Sequence, residues 1–277
     1  QDVYRSADGC HRAFFSRRIK YASFLRRIRL RLNPLHYVLL RLEKKTYSPE
    51  NTRAVIALSQ RVKDEILQHY PDPAGQIHVV HNGVDAGRFA RSAPRQDDGR
   101  FVLLFVGSGF ERKGLRFCIA ALPRLPANVE LHVVGKGSIR PYLREARQLG
   151  VAARVHFQGP EQNMEKIYPT ADILIHPAIY EPFGNVVLEA MACGLPVIAS
   201  RFVGASEIIV DGKNGRVVEE PGDAEELATA IRTMLDRNTL AAMAEHARAT
   251  ALLHSLDDYV ERILEIIRSM ETEKSGN

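Results

Sequence analysis

Short apolar runs alternate with amphipathic stretches along most of the chain. A continuous apolar run at 101–106 has the length and composition of a strand buried on both faces, and strands rich in apolar residues are also predicted at 129–134, 173–176 and 196–200. The stretches between them carry helical spacing. Strands separated by crossover helices predict a doubly wound parallel α/β sheet, and ligands of such sheets bind at the carboxyl ends of the strands.

The same pattern predicts the remaining elements. Ahead of the main sheet it predicts strands at 53–58 and 77–80, with a helix at 60–70 that is N-capped by Ser59. Further on it predicts strands at 155–157 and 215–218, and helices at 113–122, 140–149, 164–171, 183–193, 205–210, 224–235, 240–252 and 256–270. Residues 86–100 lack periodicity and predict a linker, and 271–277 predict a frayed polar tail.

A basic amphipathic segment occupies residues 12–32. Apolar residues at helical spacing predict one face of a helix, formed by Tyr21, Phe24, Leu25, Ile28, Leu32 and Leu35. Much of the remaining surface is basic, through Arg17, Arg18, Lys20, Arg26, Arg27, Arg29 and Arg31, and Asn33-Pro34 interrupts the pattern. Two interpretations stay open: a helix lying on an anionic bilayer, or a helix packed on the core with a solvated basic face.

The distribution of charge favours an anionic partner for this segment. The chain has 277 residues and a net charge of +5. Its first 53 residues hold 13 Lys and Arg against 4 Asp and Glu, whereas the rest hold 25 against 29. This asymmetry indicates a membrane surface or a phosphorylated substrate more than a nucleic acid, because no nucleic-acid-binding motif is recognisable. Three widely spaced cysteines predict no disulfide framework and indicate a reducing compartment.

A glycine-rich loop follows the first strand of the main sheet. It reads Val106-Gly107-Ser108-Gly109-Phe110-Glu111-Arg112-Lys113-Gly114. Glycines let a ligand approach the backbone, and the two cations precede a predicted helix, whose N-terminus favours anions. A phosphate group fits these features, although the spacing is not that of a P-loop. A turn with solvated cations is the alternative.

A second motif contains two glutamates eight residues apart, in Tyr180-Glu181-Pro182-Phe183-Gly184-Asn185-Val186-Val187-Leu188-Glu189. Pro182 is typical of a helix start, and Gly184 and Asn185 would present backbone amides there. Glu189 lies one turn beyond Asn185, where its carboxylate can accept bonds from two adjacent ribose hydroxyls. Glu181 is placed ahead of the helix, toward another hydroxylated ring. Each glutamate alone is also explained as a helix-terminus charge.

These residues resemble the E-x7-E signature of retaining glycosyltransferases of family 4, which have the GT-B fold. Further matches run in family order from about residue 53 to 236, at 81–85, 107–114, 134–137, 155–159 and 171–177. The resemblance implies three catalytic residues: Arg112 and Lys113 at the donor diphosphate and Glu181 near the reacting sugar. It also implies a donor-binding set of Gly107, Ser108, Lys136, Gly159, Pro160, Phe183, Gly184, Asn185, Val186 and Glu189. Many family members have Arg where this chain has Ser108.

The start of the chain, residues 2–10 with the basic segment after them, resembles the lipopolysaccharide-core glucosyltransferases of that family. The implied reaction moves glucose from UDP-glucose to a glycolipid acceptor at the inner membrane, with retention and without a metal or other cofactor. Alternatives are another donor such as GDP-mannose, another acceptor, a sugar-nucleotide epimerase, or a donor-binding module without activity. The histidines, including His132 and His156, show no paired metal spacing and are interpreted as structural.

The resemblance also predicts the domain organisation. Residues 1–98 are expected to be the last part of an acceptor-binding domain, and 99–245 a complete nucleotide-sugar-binding domain. Residues 246–277 are expected to form a helix that crosses back to the first domain, followed by a tail. The opening strand and Gly-rich loop of the first domain, about a hundred residues in all, are expected to lie outside this sequence.

Overall fold

The computed structural model describes residues 2–71, 76–90 and 95–275, and it divides into two compact units. The first unit comprises Gln1–Gly83, Tyr180–Phe183 and His254–Asn277, and the second comprises Val84–Ile179 and Gly184–Leu253. The terminal helix therefore groups with the first unit. The predicted linker over 86–100 falls in the second unit, and its residues 91–94 lie outside the described part of the chain.

The first unit is built on a parallel sheet with the strand order β1 (Val3–Ser6), β2 (Ala54–Ala57) and β3 (Ile77–Val79). Three helices connect β1 to β2, namely α1 (His11–Lys20), α2 (Phe24–Leu32) and α3 (Pro34–Thr46). Helix α4 (Gln60–His69) connects β2 to β3. The Ser59 hydroxyl accepts a hydrogen bond from the Val62 amide at 3.2 Å, which confirms the predicted N-cap.

The basic segment is not one helix, because the chain turns between α1 and α2. Asn33-Pro34 also starts a helix and does not merely interrupt a pattern. The Asn33 side chain accepts the Leu35 amide at 3.0 Å, and Pro34 occupies the first turn, where a missing N–H costs no hydrogen bond. Neither α3 nor β1 was predicted from the sequence. A strand of only four residues, such as β1, is too short for its periodicity to be recognised in the sequence.

The second unit is a six-stranded parallel sheet with the order β6-β5-β4-β7-β8-β9. The strands are β4 (Phe101–Val106), β5 (Val129–Val134), β6 (Val155–Gly159), β7 (Ile173–His176), β8 (Val197–Ser200) and β9 (Gly215–Val218). The helices are α5 (Leu115–Ala121), α6 (Arg140–Gln148), α7 (Met164–Ile167), α8 (Asn185–Ala192), α9 (Ala224–Arg232) and α10 (Arg237–Leu252). The strand order reverses between β4 and β7, so the crevice for a ligand is expected beyond the carboxyl ends of these two strands.

Helix ends account for most differences from the predicted elements. The helix expected from 113 begins at Leu115, because 110–113 form a turn, and the helix expected from 183 begins at Asn185 after Gly184. Pro182 is therefore not the helix start. The segment 205–210 is a 3-10 turn, Gly204–Ile208, and 164–171 combines α7 with a 3-10 turn. The last helix, α11 (Leu256–Ser275), continues through most of the predicted frayed tail.

Candidate functional site

The glycine-rich loop at the end of β4 is folded around the stem of Lys113. A Cβ added to Gly107 would lie 2.5 Å from Lys113 Cδ and Cε and 2.9 Å from Nζ, so the lysine crosses directly over the glycine. Lys113 is only 9 % exposed, whereas Arg112 beside it is half-exposed. The loop therefore holds one cation inside the end of the sheet and one at its surface, a pairing that suits an anionic ligand.

Three neighbouring loops meet at this end of the sheet. The Gly107 amide donates to Val134 O at 2.9 Å, and the Gly135 amide donates to Gly159 O at 2.8 Å. A Cβ at Gly135 would approach Gly107 O to 2.2 Å, so the close approach requires glycine. The exposed Lys136 donates its amide to Ser108 Oγ at 3.4 Å. The predicted diphosphate and base residues of β4, β5 and β6 are thus brought together; Pro160 follows at the exposed end of β6.

The loops after β4 and β7 are also joined. The Ile179 amide donates to Arg112 O at 2.9 Å. Gly114 has φ +83°, and a Cβ there would lie 2.1 Å from Pro177 O, so no other residue fits this position without a shift. The cation pair is therefore fixed at the point where the strand order reverses.

Helix α8 supplies the second part of the site within this unit. Gly184 caps it with φ +98°, and Asn185 and Val186 form its first turn, where the backbone amides point toward the start of the helix. Glu189 follows one turn later, and its Oε2 accepts the Tyr168 hydroxyl at 2.6 Å. Burial, and then the charge of Glu189, raise the pKa of Tyr168 well above its ordinary value, so the hydroxyl remains a donor.

Glu181 belongs to the first unit, whereas Asn185, Val186 and Glu189 belong to the second. In the first unit the backbone around Glu181 is held by α4. Arg61 donates to Glu181 O at 2.7 Å, and Ser59 Oγ donates to Pro182 O at 3.0 Å.

The side chain before Glu181 anchors the same backbone. The buried Tyr180 hydroxyl accepts the Cys10 amide at 2.6 Å, and the guanidinium groups of Arg61 and Arg17 lie over its ring, 5.1 and 5.4 Å from the centroid. Phe183 is buried against the His81 ring, with 5.6 Å between centroids. The backbone that carries Glu181 is therefore rigidly attached to its own unit.

The basic segment presents an apolar surface within the first unit. Phe24 is 75 %, Leu25 79 % and Leu32 75 % exposed, so the face predicted from their spacing is not covered by the described residues of that unit. Arg18, Arg26 and Arg29 line a hollow of about 550 Å³ beside it. No helix among the described residues is long and apolar enough to span a bilayer.

Some of the predicted membrane cations have other contacts. Arg17 pairs with the buried Glu65 of α4 at 2.6 Å, so its guanidinium points into the unit and does not belong to the exposed face. Arg27 donates to Lys20 O at 3.0 Å, at the last residue of α1, and to Ala22 O at 2.8 Å, just beyond that helix. The exposed cations of the predicted set are Lys20, Arg26, Arg27, Arg29 and Arg31.

Sequence reasoning missed three contributors to this arrangement. Tyr168 lay inside a stretch predicted as an ordinary helix, and Arg61 was one of several charges on α4. Ser59 was predicted only as a cap, although its hydroxyl also donates to Pro182 O. These residues act through partners more than 20 positions away in the chain, and no local pattern indicates such pairs.

Comparison with known proteins agrees with this geometry. Residues 100–237 match the family model described as "Glycosyl transferases group 1", and residues 8–88 match "Glycosyltransferase Family 4". The chain is 31 % identical over 282 residues to the lipopolysaccharide glucosyltransferase WaaG of Escherichia coli K12, covering 96 % of this chain and 74 % of that protein. It spans about half the length of several other curated relatives.

Comparison with solved structures indicates the same family. A crystal structure of WaaG, a glycosyltransferase involved in lipopolysaccharide biosynthesis, superimposes with a TM-score of 0.79 at 29 % identity, over 96 % of this chain and 74 % of that one. Anabaena HepE in complex with UDP and glucose superimposes with a TM-score of 0.76 at 27 % identity, over 96 % and 71 %. The chain has the GT-B architecture and belongs to the family 4 glycosyltransferases, as a relative of WaaG.

Proposed function

We propose that the protein is a retaining hexosyltransferase that moves glucose from UDP-glucose to a lipopolysaccharide-core or similar glycolipid acceptor. The observation that carries the proposal is the buried Lys113 crossing Gly107 at the reversal point of the sheet, with Arg112 beside it. This is where a doubly wound sheet binds its ligand, and two cations match the charge of a diphosphate. The relation to WaaG and to HepE supports glucose and UDP as donor components.

The proposed mechanism rests on charge stabilisation. When the bond to the sugar breaks, negative charge develops on the departing diphosphate, and preorganised cations lower the energy of that transition state. Lys113 is effective because it is largely buried, and electrostatic interactions are stronger in the protein interior than in water. The amides of Gly184, Asn185 and Val186 would donate to the phosphate and sugar, and Glu189 would accept the ribose hydroxyls. Glu181 would bind the transferred sugar, and the proposed reaction needs no metal.

Donor binding is the first test. We expect calorimetry on this chain to give tighter binding of UDP-glucose than of GDP-mannose, because Gly159, Pro160 and Lys136 would border a uracil-sized base. Tighter binding of GDP-mannose would replace the donor assignment with the alternative one. Absence of binding by every nucleotide sugar in the panel would end the proposal for this chain.

Lys113→Ala should weaken binding of UDP-glucose and of UDP by about 10-fold or more, since it removes a charge-assisted contact of about 1.5–3 kcal/mol. Lys166→Ala, on α7, is the matched control and should bind like the parent. In the full-length enzyme the same change should reduce transfer to a heptose-containing acceptor sharply. Unchanged turnover in Lys113→Ala would remove the residue from the proposed mechanism.

We also propose that the protein binds the anionic inner-membrane surface through α2. The exposed Phe24, Leu25 and Leu32 would enter the headgroup boundary, and Arg26, Arg29 and Arg31 would contact anionic lipid. The hollow beside Arg18, Arg26 and Arg29 is large enough for a phosphate headgroup. A glycolipid acceptor lies in such a membrane, so this surface would bring enzyme and acceptor together.

Vesicle sedimentation tests the membrane proposal. Vesicles containing phosphatidylglycerol should bind the chain, and vesicles of phosphatidylcholine alone should not. Replacing Arg26, Arg29 and Arg31 by Gln should weaken binding about 100-fold, at roughly 1 kcal/mol for each cation. Leu25→Asp should also abolish binding. Leu253→Asp is the control, because Leu253 is 75 % exposed, close to the 79 % of Leu25, but belongs to the second unit. Equal losses in the two Asp variants would refute the assignment to α2.

A further inference from the structure

Two histidines and a glutamate meet on one face of the β5–β6 pair in the second unit. His132 on β5 and His156 on β6 are direct partners in the strand register. Glu130 lies two residues before His132, so its side chain points to the same face of β5. None of the three takes part in the site at the carboxyl ends of the strands. Their convergence comes from the register of two parallel strands.

The distances between these groups are those of a metal-ligand set. Glu130 Oε2 lies 3.3 Å from His132 Nε2 and 3.4 Å from His156 Nε2. Two ligands at about 2.1 Å from a tetrahedral zinc ion lie about 3.4 Å apart, so both pairs already have the required separation. All three ligand atoms lie within 4.8 Å of one another.

We infer that Glu130, His132 and His156 form a Zn²⁺ site with two imidazole ligands, one carboxylate ligand and an open position for water. Two nitrogens and one carboxylate oxygen are ligands that zinc prefers. The Glu130 carboxylate supplies a negative charge to the cation.

The side chain of Gln158 is placed to orient the imidazole ring of His132. Gln158 lies on the same strand as His156, and its side-chain amide is 3.2 Å from His132 Nδ1. With its oxygen turned toward the ring, Gln158 accepts a hydrogen bond from Nδ1–H, which leaves Nε2 for the metal, as outer-sphere partners of zinc-bound histidines do. The competing cation is Arg100, whose Nη1 lies 3.3 Å from Glu130 Oε1 and 3.4 Å from Oε2. Arg100 also has Asp98 Oδ2 at 2.6 Å, so it keeps a carboxylate partner when zinc replaces its contact with Glu130 Oε2.

The place of the site in the fold indicates what the metal does. β6 is the edge strand of the sheet, and a bound ion would tie it to β5. His132 and His156 each lie three residues before Gly135 and Gly159, about 10 Å along the strands, where the two loops are hydrogen-bonded. Zinc would thus clamp the loops that border the proposed base site without contacting the donor.

Zinc titration of the chain tests the inference. The protein is stripped with EDTA, exchanged into metal-free buffer at pH 7.5, and titrated with ZnCl₂ by calorimetry; Co²⁺ serves as a spectroscopic probe of coordination. We expect saturable binding of one ion per chain. His156→Gln and Glu130→Gln should each weaken binding by at least 10-fold, and Gln158→Leu should weaken it by about 10-fold. His78→Gln removes an exposed strand histidine of the first unit and should bind like the parent.

Thermal unfolding provides a second readout. Zinc should raise the Tm of the parent and of His78→Gln, but not of His156→Gln or Glu130→Gln. The metal-free Tm of His156→Gln should match the parent, whereas Glu130→Gln also loses charge at its contact with Arg100 and is compared with its own metal-free Tm. His156 is largely exposed, so its replacement is compatible with folding. The proposed site would be refuted if the parent bound no zinc. It would also be refuted if both ligand variants kept the zinc affinity and the zinc-induced rise in Tm of the parent. A loss of binding in His78→Gln equal to that in His156→Gln would overturn it as well.

Discussion

Tyr168→Phe tests whether the Tyr168–Glu189 hydrogen bond organises the proposed ribose site. The change removes a single hydroxyl from a fully buried ring, and this hydroxyl donates to Glu189 Oε2 at 2.6 Å. Net contributions of hydrogen bonds to charged groups are about 1.5–3 kcal/mol, and the half-buried position of Glu189 places this one near 1.5–2 kcal/mol. The ring and its packing remain, so no cavity term is added.

The assay combines thermal unfolding with donor binding. A loss of 1.5–2 kcal/mol should lower the Tm by about 3–8 °C for a chain of this size. UDP-glucose affinity should fall by about 10-fold, because a released Glu189 must be ordered again when the donor binds. Tyr37→Phe is the control, since its hydroxyl donates to Arg31 O on the exposed surface, and it should change the Tm by less than about 1 °C.

A double-mutant cycle measures the coupling energy between Tyr168 and Glu189. Combined with Glu189→Gln, the Tyr168→Phe change should show a coupling of about 1 kcal/mol or more, as expected for residues in direct contact. A coupling near zero, together with a Tm shift no larger than that of Tyr37→Phe, would show that the hydrogen bond does not hold Glu189 in solution. Glu189 would then have no fixed position from which to bind the ribose hydroxyls.

Three further predictions follow from particular contacts. Gly107→Ala would put a methyl group 2.5 Å from the lysine stem that crosses it, at a φ of +133°, and should abolish detectable donor binding measured by calorimetry while the chain stays folded by circular dichroism. Arg61→Ala removes the 2.7 Å hydrogen bond to the backbone that carries the first glutamate of the signature; in the full-length enzyme it should lower kcat about 10-fold with little change in donor KM. Desolvation lowers the pKa values of His11 and His36, and Arg18 lowers both further, so their neutral forms stabilise the first unit. This stabilisation is complete above pH 6.5 and is lost as the pH falls below it, and the drop in Tm between pH 7 and pH 5 should shrink in His36→Gln.

Much of the core of the second unit was predictable because most of its strands are short runs rich in apolar residues, and β4 is apolar throughout. Strand β4 matches its predicted bounds of 101–106 at both ends. Helix starts were less predictable, since Gly114 and Gly184 adopt positive φ and delay α5 and α8 by two residues. The break between α1 and α2 was missed as well, because helical spacing continues across it in the sequence.

The candidate site was partly predictable for the same reason. Lys113 and Glu189 each stand in a local motif at the end of a strand or the start of a helix, and such positions converge in every doubly wound sheet. Tyr168 and Arg61 carry no local signal, because their roles depend on partners that only the folded chain brings within 3 Å.

The sequence by itself determined the fold class, the glycine-rich loop and the family, because these depend on periodicity and on motifs read within about ten residues. The tertiary structure decided which charges meet. It turned Arg17 inward to Glu65, left α2 with an exposed apolar face, and set His132 beside His156. The physical reason is that strand register and helix orientation are fixed by burial of the whole core, and a side chain's partners follow from that packing.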